Sequence, residues 1–344
     1  MNRLNRQSGF TLPEILIAAL LVGVLAIIAS SSNSMNGSIF RATYNQVQLI
    51  NNQSISRALL LWAKNESVLG QLPTPYSGGG YVSSVVNMNS GTSADIALQT
   101  FIQQQNVSLP EANDDNFAAH RVRAYQLVQG LTKQMPLYIR SGPLVTLTYD
   151  FGVIYQTGCG INDSCATTTP PGASPMLTSS NYASWAAVAP DFGTAYASTL
   201  PLQESMLELT VSRLLTVRSK LLDAYNQKRL GAAPGDTTDW FIAPTGTGAM
   251  SLSGANAAAN MGCYDGWYPL NFASVNVLPQ LGLGQSEYGV TAWGGRVEYC
   301  RDYDPTFSGA LSPPHYAALR IHQSVSTASI PDGITAGNNV IISF

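Results

Sequence analysis

Charge is what this chain has least of. Of 344 residues, 17 are basic and 20 are acidic, 11% in all, against about 25% in an ordinary soluble protein. With a formal net charge of −3, a basic nucleic-acid surface is not expected for the chain as a whole. The shortage does not signal disorder. Disordered chains join low hydrophobicity to high net charge, and here 45% of residues are hydrophobic. Length and apolar content suffice for a sizeable core. The remaining surface is weakly charged and rich in Ser, Thr, Asn, Gln and Gly, which favours a secreted or cell-surface protein.

Histidine and cysteine are also scarce, with 3 and 4 copies. His120, His315 and His322 are far apart, and none has a metal spacing. No CxxC or CxxxH pairing occurs, so zinc is not expected. GxSxG, HExxH and phosphate-binding loops are absent. The string GTGAMSLSG does not follow a strand and open a helix. Asn162 with Asp163, or Asp302 with Asp304, could hold a cation, but they read more simply as turn residues. No catalytic residue, metal or cofactor is assigned. Cys159, Cys165, Cys263 and Cys300 form an even set, which suits disulfides in an oxidising compartment. Of three possible pairings, Cys159–Cys165 and Cys263–Cys300 are favoured. Loop closure makes the second worth roughly 3–4 kcal/mol.

The sharpest feature lies at the front. MNRLNRQSG is polar and basic through Arg3 and Arg6. It precedes FTLPEILIAALLVGVLAIIA, residues 10–29, whose only charge is Glu14. Twenty residues at 1.5 Å each span roughly 30 Å, enough to cross a bilayer. The arginines hold the amino end in the cytoplasm and send the bulk across. A secretory signal fits poorly, because its apolar region is shorter and ends in a small-residue cleavage site. A plain anchor does not explain Glu14, which costs about 2.5–3.5 kcal/mol inside the apolar layer.

Gly9 followed by FTLPE resembles the leader-cleavage and methylation site of type IV pilin-like proteins, which include major and minor pilins and the pseudopilins of type II secretion. The resemblance implies that a membrane peptidase cuts between Gly9 and Phe10 and methylates the new amino terminus at Phe10. It implies that Glu14 meets the amino terminus of a neighbouring subunit during assembly. The physical chemistry agrees, because a buried carboxylate needs a partner and a buried amine supplies one. Pro13 falls in the first helical turn, where a missing N–H costs little. Carboxyl-terminal disulfides are used similarly in some members. Late in the chain, NVLPQLGLGQSEYGVTAWGGRVEYC is similar to a Leu-Gly-Leu, Ala-Trp-Gly and Arg-x-Tyr pattern of prepilin-like proteins. Thr291 stands where their Trp-Gly segment usually has an Asp. Trp293 reads as a core or turn aromatic.

The fold implied is α+β and type IV pilin-like: a long amino-terminal helix, membrane-spanning in its first half, packed on an antiparallel sheet with a large inserted region. Residues 1–9 form the leader, 10–29 the membrane or filament-core helix, and 30–70 its amphipathic continuation. Residues 77–344 form an enlarged exported domain. The continuation shows an apolar stripe at Ile39, Phe40, Tyr44, Val47, Ile50, Ile55, Leu59 and Trp62, with Gly37 and Gly70 as kink and stop signals. Val82–Val86, Leu144–Tyr155 and Arg296–Tyr299 read as strands. Residues 202–230 read as a second helix, with Met206, Leu209, Leu214, Val217, Leu221 and Tyr225 on one face. The carboxyl-terminal section alternates like sheet or hairpin. YDGWYP, residues 264–269, is the best candidate for an exposed aromatic contact, with core packing equally open.

The function implied is that of a structural subunit, a minor pilin or pseudopilin, with a filament-tip adhesin as the alternative. An enzyme is not expected. The partners implied are the prepilin peptidase, other pilin or pseudopilin subunits, the inner-membrane assembly machinery and a possible surface ligand. The place implied is the bacterial inner membrane, single-pass, and then a pilus or periplasmic pseudopilus.

Overall fold

A computed structural model describes residues 33–65, 68–76, 92–107, 122–137, 142–157, 174–188, 192–236, 241–244, 261–306, 316–333 and 336–344. The fold is mixed α+β with two antiparallel sheets. It is built as two tiers, and each tier lays a 31-residue helix on a sheet.

The first tier begins with α1 (Asn33–Ala63). The helix expected over 30–70 runs through Gly37 without a break and stops at Ala63. Gly70 closes the exit instead: its φ is +83°, and its N–H donates to the Ala63 carbonyl at 3.0 Å. The short helix α2 (Ser93–Gln104) follows, capped by the Thr92 hydroxyl, which accepts the Asp95 N–H. Three strands form the first sheet in the order β1 (Val122–Pro136), β2 (Leu144–Thr157), β3 (Phe192–Ser198). The expected strand at 144–155 is the centre of this sheet. Gly130, at φ +73°, accommodates a bulge in β1 between Val128 and Leu131.

The core face of α1 differs from the apolar stripe in the sequence. Ile55, Leu59 and Ala63 are buried, but Val47 and Ile50 are exposed. Polar Asn52 and Ser56 are buried in their place. The reason is the edge of β3. Asn52 Nδ2 donates to the Gly193 carbonyl at 2.8 Å, and Ser56 Oγ donates to the Tyr196 carbonyl at 2.7 Å. An unpaired strand edge demands donors, and α1 supplies them.

The second tier begins with α3 (Leu200–Leu230). Pro201 sits in its first turn, and Lys228 and Arg229 sit in its last, where the helix dipole favours cations. Two single-turn helices, α4 (Val277–Gln280) and α5 (Gln285–Tyr288), precede most of the sheet. Its order is β4 (Tyr268–Pro269), β5 (Glu298–Tyr303), β6 (Tyr316–His322), β7 (Asn339–Ser343), all antiparallel. The carboxyl-terminal hairpin is thus β6 and β7. The strand expected to begin at Arg296 begins at Glu298. β5 and β6 are buried almost throughout. Tyr299, Leu319 and Ile321 join α3 in the main core, while Cys300 and Ala318 pack with Trp267 and Tyr303.

The core face expected for α3 holds at Leu214, Val217 and Leu221, with Met206 and Tyr225 packed at its margin, and fails at one position. Leu209 is exposed, while Leu207, Leu214, Val217 and Leu221 are buried. Gln203 and Thr210 complete that face, giving steps of four and three from residue 203 to 221. Two polar residues in the buried period hid its amino-terminal part.

Candidate functional site

The residues expected to carry cleavage, methylation and assembly are Gly9, Phe10 and Glu14. They lie outside the described residues, as do the 10–29 segment, Cys159, Cys165, Asn162, Asp163, His120, His315 and the strand expected at 82–86. Among the described residues, no helix is long and apolar enough to cross a membrane. What the structure adds concerns the described residues: the seam between the two tiers, the locked second sheet and an aromatic face.

The seam starts where α1 ends. Gln203, buried near the start of α3, donates from Nε2 to the Leu69 carbonyl at 3.4 Å. Its Oε1 accepts the Trp293 indole N–H at 2.6 Å. A side chain at Gly70 would collide with Gln203. Trp293 is therefore a core residue that joins the Thr291–Gly295 turn to both helices. Thr291, which replaces the Asp of the resembled pattern, closes that turn with its own side chain: Thr291 Oγ1 accepts the Gly295 N–H at 2.9 Å. Thr210 Oγ1 accepts the Ala292 N–H, also at 2.9 Å.

Asp150 ties the strands to the seam. Its carboxylate accepts the Leu72 N–H at 2.9 Å and the Gly130 N–H at 3.2 Å. Burial pushes its carboxyl above the ordinary 3.8, and these two amides pull against the rise. Further along, β2 meets the chain that leaves β6. Thr146 N–H donates to Gln323 O at 2.9 Å, and Thr148 N–H donates to Ser326 Oγ at 2.7 Å. This parallel bridge joins the two sheets.

The directions of the elements follow. Asn52 reaches Gly193 and Ser56 reaches Tyr196, so α1 and β3 run in the same sense. β3 passes through Thr199 into α3. Glu204 then pairs with Lys133 at 2.8 Å, and Leu207 to Leu221 share a core with Leu137, Val145 and Leu147. The second tier thus sits at the Ala63 end of α1. A groove of about 1000 Å³ runs beside α3, lined by Pro136, Val211 and Leu215 with Glu204, Glu208 and Lys220.

The second sheet is locked in two ways. Cys263 and Cys300 form a disulfide with Cα atoms 5.8 Å apart. Within the sheet, buried Glu298 accepts from Arg320 Nε at 2.6 Å, and Arg296 lies 3.5 Å from its other oxygen. Burial pushes the Glu298 carboxyl up and the Arg320 guanidinium down, against their mutual attraction. The Arg320 guanidinium also sits 4.3 Å from the Trp267 ring centre. Trp267 is fully buried, so the YDGWYP segment spends its tryptophan on the core. Asp302 accepts the Asp265 N–H at 2.9 Å, and Asp304 accepts the Thr306 N–H at 2.8 Å. Cys263, Cys300 and Asp302 lie close together, but sulfurs joined in a disulfide are not thiolate ligands. His322 accepts the Ser324 N–H at the end of β6.

The third feature was not found in the sequence. On the face of the first sheet away from α1, Tyr149, Phe151 and Tyr196 project from β2 and β3. Phe151 lies 5.5 Å from Tyr182 and 6.0 Å from Tyr196 between ring centres. Tyr149 and Tyr182 share a hydroxyl hydrogen bond of 3.0 Å. Their spacing across three separate segments gave no local signal.

No curated protein and no solved structure matches the chain. One family model does match, at the end of the chain that precedes α1. Residues 4–30 carry a prokaryotic N-terminal methylation motif, the signal sequence characteristic of type IV pilins and pseudopilins.

Proposed function

We propose that the chain is a rare structural subunit of a type IV pilin-like filament, a minor pilin or a pseudopilin of type II secretion. The observation that carries this reading is the methylation motif over residues 4–30. The prepilin peptidase cuts after Gly9 and methylates Phe10. The freed chain waits in the inner membrane, single-pass, with its carboxyl-terminal domain exported. Assembly machinery then draws it into a bundle of stems, in which the Glu14 carboxylate meets the amine of a neighbour's Phe10. Val47 and Ile50, left exposed on α1, suit lateral packing against other stems. The role is not enzymatic.

The second tier favours a place at the tip. Subunits enter a filament from the membrane and move outward. A head that carries a further tier beyond α1 fills the space where the next head outward would sit. A second reading, a tip module that recognises a surface ligand, is favoured by the aromatic face and is compatible with the first.

Glu14→Ala tests the assembly role. The variant is expected to insert into membranes and be cleaved like the wild type, yet to be missing from sheared filaments. Normal incorporation would sink the proposal. Gold-labelled antibody to the exported domain is expected at filament ends, and labelling along the shaft would refute the tip position.

A further inference from the structure

The aromatic face has features that an internal packing surface lacks. Tyr196 is 49% exposed on an edge strand, where Ala195 and Ala197 point the other way into the core with α1. Phe151 and Tyr182 are half-buried and carry the ring surface back across the sheet. The Phe151 and Tyr196 rings are inclined by only 35° and make a shallow two-ring platform, against which Tyr182 stands edge-on at 62°. Hydroxyl and amide groups rim it. Thr178 and Ser180 share a hydrogen bond on an exposed turn, and the Asn181 side chain closes the same turn. Burial and the bond to Tyr182 push the Tyr149 hydroxyl up to about 12, so Tyr149 keeps its proton at any physiological pH.

Charge is missing from two of the segments that carry these rings. Neither 174–188 nor 192–199 contains a charged residue. Asp150, the one charge in the adjoining part of β2, bonds Leu72 and Gly130 on the other side. A phosphate, sulfate or acidic peptide would find no counter-ion on this platform. A typical protein partner is met with arginine among the aromatics, and none is present in these segments. Flat rings edged by hydroxyls fit a ligand with apolar C–H faces and a polar rim.

We propose that Tyr196, Phe151 and Tyr182 form a binding platform for a neutral glycan. Pyranose faces lie against the rings, and sugar hydroxyls bond the Tyr, Ser and Thr hydroxyls at the rim. The proposal deepens the second reading above by naming its ligand class. It requires a folded exported domain but not filament incorporation, so a chain barred from filaments by Glu14→Ala still binds.

The test uses the mature full chain in detergent on native gels that contain hydroxyethylcellulose, a soluble neutral β-glucan, or heparin, a polyanion. Hydroxyethylcellulose is expected to retard the chain and heparin to leave its mobility unchanged. Tyr196→Ala is expected to weaken retardation about two- to tenfold, the value of one aromatic contact. Tyr196→Phe keeps the ring and most of the effect. Near-UV circular dichroism checks that both variants fold. Absence of retardation by the neutral glycan, stronger retardation by heparin, or an unchanged Tyr196→Ala would each overturn the proposal. Self-association of the wild type that Tyr196→Ala abolishes would overturn it too, assigning the platform to contacts between subunits.

Discussion

α1 and α3 have the same length and the same task, yet they are held by different chemistry. Among the described residues, α1 shares with α2 and its sheet a core of 11 buried apolar residues, and adds polar ties to the strand edge. α3 shares a core of 22 buried apolar residues, next to a sheet that also carries a disulfide and a buried ion pair. The difference follows from what each helix must do. α1 continues from the segment that bears the methylation motif and keeps Val47 and Ile50 exposed, so part of its apolar surface is withheld from its own sheet. Hydrogen bonds to Gly193 and Tyr196 hold it in register where hydrophobic contact alone would not. α3 also leaves Leu209 and Leu215 exposed, but its face from Leu207 to Leu221 is committed to one larger core.

The buried ion pair gives the largest expected effect. Glu298→Ala leaves Arg320, itself 2% exposed, without its carboxylate. The cost is about 3–5 kcal/mol. It should fall on the second tier, seen as lost amide-exchange protection in β5 and β6 ahead of α1 and β3. Adding Arg320→Met to Glu298→Ala should recover most of the loss, because an apolar pair needs no counter-charge. A uniform loss across both tiers would show that they unfold as one unit.

The disulfide comes next. Cys263→Ala with Cys300→Ala frees a 37-residue separation, for an expected loss of roughly 3–4 kcal/mol by loop closure. Denaturant unfolding of the full chain in detergent, with and without reductant, measures it. The first tier offers the contrast. Asn52 Oδ1 accepts from buried Arg123 Nε at 2.8 Å while its Nδ2 serves Gly193. Asn52→Ala should cost about 1–3 kcal/mol and loosen α1 from β3 without reaching the disulfide-locked sheet. Equal deprotection of β6 would break the distinction between the tiers.

The outcome for these elements shows where sequence reading succeeds. The strand centred on Leu144–Tyr155, the helix near 202–230, the Cys263–Cys300 bond and a core role for Trp293 were legible because each rests on local composition or on a small number of pairings. The buried faces of α1 and α3 were read in part, and the members that were missed share one physical reason. Asn52, Ser56, Gln203 and Thr210 occupy core positions to satisfy backbone groups and an indole N–H on distant segments. No periodicity of apolar residues can reveal a position whose burial depends on a partner 90 residues away. Trp267 was open to two readings for the same reason, since Arg320 and the disulfide that enclose it arrive from β5 and β6. The aromatic platform needed β2, β3 and 174–188 in place before its rings became neighbours.

The smallest expected effect concerns Asp150, and its sign is the informative part. Burial raises its folded-state carboxyl above the ordinary 3.8. Below 3.8 both folded and unfolded chains hold the proton. Between 3.8 and the raised value the unfolded chain releases it first, so the folded chain binds more protons and stability falls as pH rises. Above the raised value the contribution is flat. Asp150→Asn removes this slope but keeps one carbonyl oxygen for Leu72 or Gly130, so its net effect at neutral pH should stay within about 1 kcal/mol. The stability difference between wild type and variant, followed by denaturant unfolding from acid to neutral pH, should therefore move against the wild type as pH rises through that window. A difference that moved in its favour would mean that the two amide bonds outweigh burial, and that the first tier uses Asp150 as an anchor for its bulge rather than tolerating it as a buried charge.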